Sequence, residues 1–156
     1  MGFIAQYNHD NQMLEQRYTS YKCPEINPYI AAIVERLNIS SNVKKAIIAI
    51  DSSMRYADLI DHDNKATALL TTDLLSALFY RYMAEEFNVG QFKVLTQAVK
   101  AQNMWKSMFK ESGDQSLIAK IETAFVAPFI SIQDSDMQRL IQHSSLNNIK
   151  SRCSIE

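Results

Sequence analysis

Five aspartates, Asp51, Asp58, Asp61, Asp63 and Asp73, are the densest concentration of potentially reactive side chains in this 156-residue sequence. Asp51 and Asp58 are seven residues apart, so on a helix they share a face, with Asp61 one further turn along. Carboxylates stacked at a helix end could hold Mg2+ on a diphosphate, because Mg2+ takes one or two carboxylates and fills its shell with phosphate oxygens and water. The competing reading is a solvated helix end whose aspartates meet Arg55 or cap the next helix. Two arguments favour the second reading. Carboxylates at a helix C-terminus oppose the helix dipole, and no basic clamp for phosphate follows them. Asp73 stands inside an apolar segment. It is either part of the first helical turn, where Asp is favoured, or a buried carboxylate facing a cavity or a partner.

No other constellation points to chemistry. His9, His62 and His143 are far apart, and no His-x-x-x-His or Glu-x-x-His spacing occurs, which argues against zinc and di-iron sites. Cys23 and Cys153 stand near opposite ends of the chain in no metal spacing, as two reduced thiols would. There is no Gly-x-Ser-x-Gly elbow. With only 3 Gly in the chain, P-loops and dinucleotide-binding fingerprints are excluded. Sixteen Lys and Arg against 17 Asp and Glu give a net charge of −1, with no basic run to neutralise a nucleic-acid backbone. No apolar stretch reaches the ~20 residues that span a bilayer, and the first residues lack signal-peptide features, so a cytoplasmic protein is expected.

The elements that must position these residues are helical. Low Gly and Pro content with 47% apolar residues predicts an all-α bundle of about six helices in a single domain, 1–156. Its core is expected over about 28–130, with a short helix and a loose C-terminal tail over about 134–156. The first helix is expected at about 10–21. Asn27-Pro28 is an N-cap/N1 pair for a helix to about residue 38, carrying Ile30, Ile33, Val34 and Leu37 on one face. After a Ser40-Ser41-Asn42 cap, Val43, Ile47, Ile50, Met54 and Ala57 recur as a helical stripe. Residues 68–83 are apolar nearly all round, which predicts a helix buried centrally or between subunits. Further helices are expected over about 92–110 and from Leu117 towards Pro128. Arg81 and Glu85 form an i,i+4 pair, a common surface feature. Trp105 and the aromatic and Met residues of 78–83 read as core. Their density nonetheless suggests a patch completed by a partner.

From Asn42 to about Pro128 the chain resembles the small subunit of heterodimeric medium-chain trans-prenyl diphosphate synthases, the hexaprenyl and heptaprenyl type of low-GC Gram-positive bacteria. The resemblance is carried by Asn42-Val43-Lys44-Lys45-Ala46-Ile47-Ile48-Ala49-Ile50-Asp51-Ser52-Ser53-Met54-Arg55, by Asp63-Asn64-Lys65, and by Thr72 to Tyr80. It implies a trimmed isoprenoid-synthase-like core. Catalytic relatives carry Leu-Ile-His-Asp-Asp-x-x-Asp at a helix end, where the carboxylates hold Mg2+ against an allylic diphosphate. Leu59 to Ala66 falls on that motif, and only Asp63 keeps a motif carboxylate; His62 and Ala66 occupy the other two places. Thr72-Asp73 stands where relatives have Gly-Asp. The Arg pair and the second Asp-rich motif are missing.

The resemblance therefore implies a non-catalytic subunit, inactive alone and binding no cofactor. It would form a heterodimer with a larger subunit holding the Mg2+ and both Asp-rich motifs. That complex would condense isopentenyl diphosphate onto farnesyl diphosphate to give a C30 or C35 chain for menaquinone. Asp63 and Asp73 would be vestigial, and Leu74, Leu78, Phe79, Tyr82 and Met83 would face the partner or the growing apolar chain. The alternatives are a helical adaptor unrelated to isoprenoids and a stand-alone Mg2+ enzyme built on the aspartate cluster.

Overall fold

The structure, a computed structural model, describes residues 2–148. Cys153 and the end of the expected tail lie outside the described residues. The chain divides into two compact units, one ending at Asn88 and one beginning at Val89. Both are helical, and no strand occurs among the described residues.

The first unit contains α1 (Phe3–Arg17), α2 (Pro28–Arg36), α3 (Ser41–Ala57) and α4 (Lys65–Glu85). Helix α1 begins seven residues earlier than the apolar pattern suggests. Its opening turns look polar, but Phe3, Tyr7 and Asn11, spaced by four, all point inward and are buried. Tyr18 to Ile26 are not helical; a turn closes where Tyr21 N donates to the Tyr18 carbonyl at 2.9 Å, and the Tyr21 hydroxyl donates to Asn11 Oδ1 at 2.5 Å. Asn27 caps α2 as its sequence suggests, accepting from the amides of Tyr29 (2.9 Å) and Ile30 (3.1 Å). Ser40 caps α3 by accepting from Val43 N at 3.3 Å.

The central helix is α3 rather than α4. Every residue from Lys45 to Ser53 is buried, and α3 packs against α1, α2 and α4. Helix α4 buries one face only: Ala68, Thr71, Leu75, Leu78, Phe79, Tyr82 and Met83. Polar contacts fix its position. Ser53 Oγ donates to the Thr72 carbonyl at 3.0 Å and lies 3.2 Å from Ser76 Oγ. At the other end Tyr82 donates to Asp10 Oδ2 at 2.5 Å, with Lys45 Nζ 4.7 Å from the Tyr82 ring centroid. Burial and the neighbouring Asp10 carboxylate push the Tyr82 phenol up from its ordinary value.

The second unit contains α5 (Val89–Ser112), α6 (Ser116–Thr123) and α7 (Ser135–Gln142). Gly113, in the left-handed region at φ 66, closes α5 by donating its amide to the Phe109 carbonyl at 2.8 Å. Phe109, Leu117, Ile118 and Ile121 form a core cluster, with Trp105 and Leu146 packed against it. Inside it Gln102 Nε2 donates to the Ile121 carbonyl at 2.8 Å. Helix α6 stops at Thr123, five residues before Pro128, and turns continue through the buried segment 124–126. The core extends past residue 130: Met137 and Leu140 of α7, capped by Asp134, are buried. Helix α7 is the short helix expected in this segment, and it docks through this narrow apolar stripe instead of belonging to a loose tail.

Candidate functional site

The five aspartates do not converge. Asp51 is buried in α3 and paired with Arg55, whose Nε donates to Oδ2 at 2.8 Å. Such an i,i+4 pair neutralises a carboxylate that would be costly to bury alone. Asp58 is the C-cap of α3. Asp61 and Asp63 belong to an exposed turn, and Asp73 is exposed on α4.

The turn explains itself in local terms. Asp61 Oδ1 accepts from the amides of Asp63 and Asn64, both at 2.9 Å. Asn64 Oδ1 accepts from Asp61 N at 2.8 Å, and Asn64 Nδ2 donates to the Leu59 carbonyl at 3.1 Å. These reciprocal side-chain bonds satisfy the backbone between two helices, as Asx turns do. They commit one oxygen of Asp61 to two amides. Of the other motif places, Asp63 keeps an exposed carboxylate, His62 an exposed imidazole, and Ala66 in the first turn of α4 offers nothing. Among the described residues no group of three His, Cys, Asp or Glu is placed to hold a metal ion. This donor set does not fit Mg2+ on a diphosphate, which needs carboxylates converging on one point.

Asp73 corrects the first-turn reading and is not buried within this chain. Helix α4 starts at Lys65, so Asp73 is its ninth residue, neither in the first turn nor buried. It belongs to an exposed stripe, Leu69, Asp73, Ala77, Tyr80 and Ala84, at steps of four, four, three and four. Leu69 is 45% and Tyr80 56% exposed. Leu78, Phe79, Tyr82 and Met83 lie on the inward face and are buried within this chain, while Leu74 is half-buried between the faces. The residues singled out by apolarity thus build the core under the stripe. Sequence reasoning passed over Leu69 and Ala77 and grouped Tyr80 with the core residues of 78–83, although their helical spacing with Asp73 marks a single face. Arg81, beside the stripe, holds Glu85 at 3.6 Å and approaches Asp10 at 3.9 Å.

This motif turn, emptied of converging carboxylates beside an apolar exposed helix face, is found in a chain whose residues 1–130 match the family model of the hexaprenyl diphosphate synthase small subunit. The chain belongs to that family. A crystal structure of heptaprenyl diphosphate synthase from Staphylococcus aureus shares the fold, with a TM-score of 0.73 at 22% identity over 96% of this chain and 94% of that one. Family membership sets aside the unrelated adaptor and implies a larger synthase partner. Among the described residues no helix is long and apolar enough to cross a membrane.

Proposed function

We propose that this chain is the non-catalytic subunit of a heterodimeric trans-prenyl diphosphate synthase. Its larger partner carries both Asp-rich motifs and the Mg2+, and the complex condenses isopentenyl diphosphate onto farnesyl diphosphate. The product is a C30 or C35 polyprenyl diphosphate destined for menaquinone. The observation that carries the reading is the turn at residues 61–64, where Asp61 accepts from two backbone amides and the Asp63 carboxylate is exposed. Ionising an allylic diphosphate needs metal ions held against it, and one motif carboxylate cannot organise them. The chain's contribution is then a surface.

Helix α4 is the element we assign to it. The stripe from Leu69 to Ala84 offers a partner helix small residues for close approach and Tyr80 as an aromatic anchor. Leu74 reaches the edge of that face, and the buried Leu78, Phe79, Tyr82 and Met83 hold it rigid from beneath. Product length follows from where side chains block a growing apolar chain, so a rigid α4 sets a limit on it through the partner it supports. The test is co-purification with the larger subunit, followed by incorporation of radiolabelled isopentenyl diphosphate by each subunit alone and by both together. Incorporation only by the mixture is expected. Activity from this chain alone, or full activity from the partner alone, refutes the proposal.

A further inference from the structure

The exposed stripe of α4 is complementary to itself. Ala77 lies near its middle, with Asp73 four residues before it and Arg81 four residues after it, all three exposed. Two α4 helices laid antiparallel about a two-fold axis at Ala77 bring each residue opposite the one equally far from Ala77 on the other side. Asp73 of each copy then stands opposite Arg81 of the other, about 6 Å along the helix from the axis. The result is two reciprocal carboxylate–guanidinium pairs. Asp73 makes no hydrogen bond or ion pair among the described residues. Arg81 reaches Glu85 at 3.6 Å and Asp10 at 3.9 Å, both beyond hydrogen-bond length.

The rest of the face agrees with this register. Tyr80, 56% exposed, comes opposite the half-buried Leu74 of the other copy, an aromatic ring against an aliphatic side chain. That ring already stands edge-to-face with Phe79 at 5.2 Å, so little freedom is lost when it is covered. At the crossing Ala77 meets Ala77, and side chains this small let two helix axes approach to about 8 Å. Glu85 falls opposite the uncharged Leu69, so within α4 no acid faces an acid. A parallel pair would instead set Asp73 against Asp73 and Arg81 against Arg81, which like charges oppose.

We infer that α4 of this chain, when no other protein covers it, binds α4 of a second copy, antiparallel and joined by reciprocal Asp73–Arg81 pairs. A single helix face is smaller than the ~800 Å2 that each partner of a stable interface buries, so the dimer is weak and exchanges readily. The inference concerns the chain by itself and does not rest on the prenyl-synthase reading. Where that reading holds, the larger subunit takes the same stripe, and the self-pair must open before the two subunits join.

Sedimentation velocity of the full-length chain alone, from about 1 to about 300 μM, spans the Kd range of so small an interface, and a monomer–dimer equilibrium is expected. Asp73→Arg and Arg81→Asp each set like charges together at two places and are expected to weaken self-association by about tenfold. An equimolar mixture of the two variants restores opposite charges at both places and is expected to dimerise as the unchanged chain does. In a Cys23→Ser, Cys153→Ser background, Ala77→Cys is expected to oxidise to a disulfide-linked dimer. Leu69→Cys, held about 24 Å from its own copy in this register, is expected to stay monomeric. A monomer at every concentration overturns the inference. So does a dimer that neither charge variant weakens, a mixture no tighter than either variant alone, or equal cross-linking at both positions.

Discussion

Truncating Tyr80 separates the outer face of α4 from the core beneath it. A tyrosine side chain presents roughly 200 Å2. Tyr80 is 56% exposed, leaving about 110 Å2 for a partner to cover, worth about 2–3 kcal/mol at ~25 cal/mol per Å2. Tyr80→Ala is therefore expected to raise the Kd for the larger subunit by roughly 30- to 150-fold. In the isolated chain the residue's exposed position limits the cost to less than about 1 kcal/mol of stability, part of it the edge-to-face contact with Phe79 at 5.2 Å. Leu78→Ala, one turn-face away and buried, should behave oppositely, costing about 2–5 kcal/mol of stability through the cavity it leaves. Isothermal titration calorimetry gives the Kd, and thermal unfolding of each variant alone gives the stability. A native Kd for Tyr80→Ala refutes the placement of the interface. So does Leu78→Ala weakening association without destabilising the isolated chain.

Asp63→Asn in the assembled complex should leave prenyl transfer within about twofold, because its carboxylate holds no metal in this account; a collapse in turnover contradicts that. Asp61→Ala removes the acceptor of two turn amides and should cost about 1 kcal/mol, read as a melting temperature lower by about 2–4 °C. Burial is the main cause raising Tyr7, Tyr21 and Tyr82 above their ordinary value of 10.0. Between the unfolded and folded values the native state binds more protons, so stability is intact below about pH 10 and falls above it. A melting temperature that is flat from pH 9 to 11 contradicts this. Burial also raises the Cys23 thiol, so in a Cys153→Ser background iodoacetamide should modify it more slowly at pH 8 than it modifies free cysteine, and faster as pH rises.

Much of the helical frame was legible because periodicity and caps are local. Asn27-Pro28 and Ser40 start their helices where the sequence says, and Ile30, Ile33 and Val34 face inward together. Helix α1 was less legible, since Asn11 is buried as the partner of Tyr21, a contact ten residues away that no periodicity reveals. The short helix expected in the last segment is α7, but its docking was not legible: Met137 and Leu140 are its only buried residues, and two apolar residues make no pattern. The fate of the aspartates turned on partners. Arg55 was visible as an i,i+4 neighbour of Asp51, whereas the bonds between Asp61 and Asn64 depend on turn geometry. On α4 an apolar residue on every side hid which face is inward; only packing against α3 decides it, placing Leu78 inside and Tyr80 outside.

The most direct test of the central claim is a titration of the larger subunit with this chain at fixed enzyme concentration, read as isopentenyl diphosphate incorporated per minute. The account predicts negligible incorporation at either end of the series and a rise that saturates at one equivalent of this chain. Turnover independent of the added chain, or incorporation by this chain with no partner present, contradicts it.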